Sequence, residues 1–89
     1  MEEINNQMDE LFNTPGVSGV VFTDLRGLVL KEKGSGNLQA GAVSTIALQA
    51  SKLFPDLDES PVVCVEGEKR SLLIRNEDKI VLGVYKDKL

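Results

Sequence analysis

The sequence predicts an α+β fold: an α/β/α sandwich on a five-stranded antiparallel sheet, in the order α-β-β-α-β-β-β. Three observations predict it. Short turns separate consecutive strand-like segments, which makes neighbouring strands antiparallel. Residues 62–65, 72–74 and 80–82 are unbroken apolar runs (Val-Val-Cys-Val, Leu-Leu-Ile, Ile-Val-Leu). A sheet with one face in water would alternate, so both faces are expected to be covered. Two further segments carry helical periodicity, one for each face. At 89 residues the chain is read as one domain, 1–89.

Residues 3–12 place Ile4, Met8, Leu11 and Phe12 on one stripe of a first helix. Asn13-Thr14-Pro15-Gly16 ends it, because proline forbids continuation. Residues 17–23 form a strand and residues 28–33 its return. Asp24-Leu25-Arg26-Gly27 is the turn between them, with Asp favoured first and Gly last. Gly34-Ser35-Gly36-Asn37 connects flexibly to a long helix over residues 38–54, with Asn37 as its N-cap and Phe54-Pro55 as its end. An acidic loop, 56–61, follows. The last three strands are 61–66, 71–75 and 79–86, joined by turns at Gly67-Glu68-Lys69 and Asn76-Glu77-Asp78.

Composition narrows the function. The net charge is −4 and the sequence pI is about 4.7. Lys and Arg are scattered, so neither a nucleic-acid footprint nor attraction to an anionic membrane is expected. No stretch reaches the ~20 apolar residues of a membrane span. The acidic, polar N-terminus does not read as a signal peptide, Glu2 rules out myristoylation, and Tyr85-Lys-Asp-Lys-Leu89 is not a prenylation box. A cytosolic chain is expected. The single Cys64 fits a reducing compartment and excludes an internal disulfide. The absence of histidine removes the usual general base and the commonest metal ligand.

The remaining chemistry-bearing motifs read blandly. Gly34-Ser35-Gly36 before a helix lacks the Gly-Lys-Ser/Thr of a phosphate loop and reads as a hinge. Cys64, between valines and with no His to activate it, reads as a small hydrophobe. Asp56, Asp58 and Glu59 lack the ordered oxygen spacing of a calcium loop. Arg26, at a hairpin tip with no nucleotide site beside it, reads as exposed charge and not an arginine finger. No catalytic residue, cofactor or metal is expected.

The informative segment is the long helix. Val43, Ile46, Ala47, Ala50, Leu53 and Phe54 share one arc, assigned to the protein's own sheet. The opposite arc holds Gly41, Ser44, Thr45, Leu48, Ser51 and Lys52, and over residues 38–54 Lys52 is the only charge. Exposed helix positions usually carry charged residues. An arc of small residues around one leucine therefore reads as a surface covered by a second chain, most simply in a symmetric pair. Val62, Val63, Cys64 and Val65 form an apolar strand that Pro61 places at a sheet edge. Pairing that edge with a partner strand removes an aggregation hazard.

The segments 15–30 (PGVSGVVFTDLRGLVL), 39–44 (QAGAVS), 50–53 (ASKL) and 61–66 (PVVCVE), with the ending 80–86, resemble one known family along nearly the whole chain. It is that of the fifth Ragulator subunit, also called the hepatitis B virus X-interacting protein family. The resemblance implies a roadblock fold, related to longin and profilin-like domains, that pairs through the long helix and third strand into one continuous sheet. It also implies a non-enzymatic scaffold on the cytosolic face of lysosomes. Its partners would be a roadblock-like subunit, or a second copy of itself, and a lipidated subunit that provides membrane attachment. Through them it would support Rag GTPase recruitment and amino-acid signalling to TOR complex 1. The alternatives are a stand-alone homodimeric adaptor or a small-ligand-sensing module. The chain departs from the family pattern in its acidic loop and at Gly34-Ser35-Gly36.

Overall fold

The computed structural model describes residues 2–34, 39–53, 61–77 and 79–88, with side chains from residue 6 onward. The elements are α1 (Glu2–Phe12), β1 (Val17–Asp24), β2 (Val29–Gly34), α2 (Ala40–Ser51), β3 (Val62–Glu66), β4 (Arg70–Glu77) and β5 (Ile80–Asp87). The expected order and strand count hold. The five strands form one antiparallel sheet ordered β2-β1-β5-β4-β3, so β2 and β3 are its two edges.

Asn76 and Glu77, expected in a turn, instead continue β4, pairing with Val81 and Ile80. The helix α2 starts at Ala40, two residues later than expected, with Gln39 before it making no side-chain cap bond. Gly34, expected in the flexible connection, is the last residue of β2. Its φ of +71° suits glycine, and a Cβ there would meet Phe12 Cε1 at 2.7 Å. Asn37, Ser35, Gly36, the Phe54-Pro55 stop and the candidate calcium residues Asp56, Asp58 and Glu59 lie outside the described residues.

Strand alternation sends β1 and β5 side chains to two cores. On the α1 side, Met8, Val20, Phe22, Leu82 and Val84 are buried together, with Leu11, Phe12, Val17 and Ile80 packed around them. On the α2 side, Val43, Ala47, Ile74 and Val81 form a second cluster bordered by Ile46, Val63 and Leu72. Two contacts fix α1: Lys33 Nζ reaches Asp9 Oδ1 at 3.1 Å while lying over the Phe12 ring, and Gln7 Nε2 donates to Glu77 Oε2 at 3.4 Å.

Coverage is complete at the centre of the sheet and incomplete towards β3. A helix about 10 Å wide spans roughly two strands spaced ~4.8 Å apart. α1 lies nearest β1 and β2 and reaches only as far as Leu82 and Val84 of β5 in its core. Leu73 on β4, expected to be covered, therefore stays 40% exposed on the α1 side.

Candidate partner-binding surface

The turn between β1 and β2 packs against α2. The Asp24 carboxylate accepts the N–H groups of Arg26 (2.8 Å) and Leu28 (3.0 Å), and Gly27 N–H returns to the Asp24 carbonyl at 3.2 Å. Gly27, at φ +92°, then presses onto α2: a Cβ at this position would lie 2.8 Å from Ser44 Oγ and 3.4 Å from Gly41 Cα. The buried arc of α2 is accordingly Ala40, Val43, Ser44, Ala47 and Ala50.

Two expectations about this helix are corrected. Ser44, assigned to the partner face, is buried by the chain's own turn and leaves the candidate set. Leu53, assigned to the sheet, is 71% exposed, because α2 ends at Ser51 and Leu53 follows in a turn. Gly41, Thr45, Leu48 and Lys52 are exposed and Ser51 half-buried on the outer side. A Cβ added at Gly41 would meet nothing within 4 Å of the chain.

The outer side of α2 is less polar than its sequence. Thr45 Oγ1 donates to the Gly41 carbonyl at 2.9 Å, the carbonyl that Ser44 Oγ also reaches at 3.0 Å, and Ser51 Oγ donates to the Leu48 carbonyl at 2.7 Å. Each hydroxyl proton is turned back onto the helix, as short hydroxylated side chains in helices commonly do. Apart from Lys52 at its end, this side presents little free hydrogen-bonding capacity around Leu48, itself 45% exposed.

The two sheet edges differ in the same sense. β2 carries Lys31, Glu32 and Lys33, the usual charged protection of an edge. β3 carries Val62 (60% exposed), half-buried Val63, exposed Cys64 and Val65 (44% exposed), with charge only at its final residue. Val63 packs into the cluster beneath α2, and alternation places Val65 on that same side. Val62 and Cys64 share the other side with Leu73, the strand neighbour of Cys64. Leu73 and Leu53 are exposed apolar residues that sequence reasoning had assigned to the interior.

Cys64 and Glu66 point the same way, two residues apart. The thiol donates to Glu66 Oε1 at 3.3 Å, and Glu66 also pairs with Lys88. The hydrogen bond to Glu66, reinforced by local desolvation and the carboxylate's charge, raises the thiol pKa against the opposing pull of Lys88. The Glu66 carboxyl is lowered, first by the hydrogen bond from Lys88 and then by that from Cys64. This arrangement disfavours the thiolate that nucleophilic chemistry needs. Among the described residues, no cluster of ligating side chains suited to a metal ion occurs, and no helix is long and apolar enough to cross a membrane.

Comparison with known proteins identifies the family and the fold. A family model described as Ragulator complex protein LAMTOR5 matches residues 1–86. The chain belongs to the LAMTOR5 family of Ragulator complex proteins. The LAMTOR5 homolog of Nematostella vectensis is 37% identical over 86 residues, covering 96% of this chain and 94% of the relative. LAMTOR5 of Xenopus laevis is 31% identical over 84 residues, covering 93% and 92%. Among solved structures, Myxococcus xanthus MglB superposes with a TM-score of 0.79 at 23% identity, covering 97% of this chain and 76% of that one. A roadblock/LC7 domain from Streptomyces avermitilis gives 0.75 at 22% identity, covering 90% and 74%. The LAMTOR5-family chain thus has the roadblock fold that its sequence predicted.

Proposed function

We propose that this LAMTOR5-family chain is a non-enzymatic scaffold subunit that pairs with a second roadblock-like chain. The interface consists of Gly41, Thr45, Leu48 and Ser51 on α2 and Lys52 just after it, with Val62, Val63, Cys64 and Val65 on β3. Ser44 supports this surface from beneath without lining it. In a Ragulator-type assembly the pair would hold Rag GTPases within reach of TOR complex 1 at the cytosolic face of the lysosome, attached there by a lipidated subunit.

One observation carries this reading: apolar groups are left open on both α2 and β3, while the opposite sheet edge is guarded by charge. Burial of apolar surface contributes about 25 cal/mol per Å². A second chain laid over Leu48 and added to β3 would bury the exposed leucine and valines and satisfy the free backbone groups of the edge.

Co-expression with candidate roadblock subunits, followed by light scattering of the purified chain and of each mixture, tests the proposal. A defined heterodimer, or a dimer of this chain alone, supports it and tells the two apart. Monomers at tens of micromolar in every mixture, well above the affinity of a specific complex, contradict it. A small-ligand-sensing role predicts instead a saturable thermal shift with a metabolite.

A further inference from the structure

A second exposed surface lies at the tip of the β1–β2 hairpin. The turn is rigid, held by the two Asp24 side-chain bonds and the Asp24–Gly27 and Asp24–Leu28 backbone bonds. A rigid turn that buried its apolar residues would be ordinary; this one presents Leu25 at 46% and Leu28 at 66% exposure. β5 begins beside it, with Ile80 paired to Asp24, so Lys79 stands next to the tip. Between them lies an open cleft of about 310 Å³ lined by Asp24, Leu25, Arg26 and Lys79.

The charge balance of the cleft is the reverse of the chain's. Among the described residues Asp24 is its only carboxylate, and one of that group's oxygens is already occupied by two backbone N–H groups. The side chains of Arg26 and Lys79 enter none of the ion pairs or hydrogen bonds of the described residues. Two unpaired cations beside an exposed leucine, on a protein of net charge −4, form a local site for a group that is both anionic and aliphatic. The geometry points to this tip as a docking site for a short partner-protein segment in which an Asp or Glu neighbours a Leu- or Ile-like side chain. The carboxylate would bridge Arg26 and Lys79 while the aliphatic group packs on Leu25. A guanidinium holds a carboxylate through paired N–H donors, and the lysine adds a point charge. An anionic membrane is the weaker occupant, because two cations supply only about 2 kcal/mol of attraction against the net negative charge of the chain.

The site lies at the opposite edge of the sheet from β3 and meets the proposed pairing surface only at its Gly41 end, where Gly27 packs, so peptide binding and pairing are read by separate measurements. The test uses a fluorescein-labelled octapeptide of alternating Glu and Leu, a Lys/Leu octapeptide as control, and phosphatidylserine vesicles. Amide shifts of the isotope-labelled full chain locate any contact. Salt-sensitive binding of the Glu/Leu peptide is expected, with shifts centred on residues 24–28 and 79. The Arg26→Glu/Lys79→Glu pair should weaken it by roughly tenfold or more through like-charge repulsion. Both side chains lie outside the two cores, so folding should persist by circular dichroism, and Lys86→Glu should bind as the parent does. Absent shifts at the tip, equal binding of the Lys/Leu peptide, unchanged binding by the double variant, or binding of vesicles in place of the peptide would each overturn the inference.

Discussion

Gly27 and Ser44 are locked together: the left-handed turn residue approaches so closely that a Cβ would stand 2.8 Å from the serine hydroxyl. This contact adds Ser44 to the side of α2 that packs on the sheet. It also explains why Ser44 is buried although its hydroxyl needs no partner beyond the Gly41 carbonyl.

Gly27→Ala should therefore destabilise the fold twice over, through a positive φ that alanine resists and through the contact with Ser44. A loss of about 2 kcal/mol in urea unfolding is expected. Adding Ser44→Ala removes the offending oxygen and should restore part of the loss. The φ component should remain in the double variant.

Much of this architecture was legible because periodicity is local. The stripe containing Met8, Leu11 and Phe12, the Asp24–Gly27 turn and the runs of β4 and β5 each specify their element within a few residues. The misplacements of Ser44, Leu53 and Leu73 share a different cause. Ser44 is buried by a turn seventeen positions earlier in the chain, and Leu73 is exposed because α1 covers only one end of the sheet. Helical period alone fixes which residues share a face, but not which distant segment arrives to cover it. The neutral polarity of α2 was visible in sequence. Its hydroxyls bonding back to their own helix was not.

Leu48→Glu and Val65→Lys test the pairing surface from its two elements. Each residue is nearly half exposed, at 45% and 44%, so each change should alter stability of the isolated chain by no more than about 0.5 kcal/mol. Each should nevertheless abolish the dimer in light scattering, because a charge buried at an interface without a partner is costly. Loss of pairing together with loss of folding would show that the surface belongs to the chain's own core.

Tyr85 offers a test of the interior. Its side chain is 4% exposed and its hydroxyl is buried without a hydrogen-bond partner. Burial raises its pKa above the ordinary value of 10.0, against the lowering influence of Arg70, which lies over the ring. Tyr85→Phe keeps the ring and removes the unsatisfied oxygen, so stability should stay level or rise by about 1 kcal/mol. The pH dependence has a definite sign. The neutral phenol is favoured in the folded state, so its contribution is intact below pH 10.0 and is lost as pH rises through the higher folded value. The tyrosine protein should lose stability in that alkaline window, and the phenylalanine variant should lack this component.

Cys64 reports both its own electrostatics and the occupancy of β3. Alkylation requires the thiolate, and the hydrogen bond to Glu66 holds the thiol above its ordinary pKa of 9.0. Iodoacetamide should therefore react with the folded monomer more slowly than with the denatured chain at the same mildly alkaline pH. Glu66→Gln removes the carboxylate's charge, one of the influences raising the pKa, and leaves Lys88 beside the thiol, so the reaction should accelerate. For Glu66 itself the linkage runs the other way. Its lowered pKa contributes stability above the ordinary value of 4.5, which disappears as pH falls through the folded value. Pairing at β3 adds a steric effect to these electrostatic ones, because a strand laid beside Val62–Glu66 covers the thiol whatever its protonation. Protection that rises with partner concentration, survives Glu66→Gln and vanishes with Leu48→Glu is expected. A rate indifferent to the partner would place the interface elsewhere on the molecule.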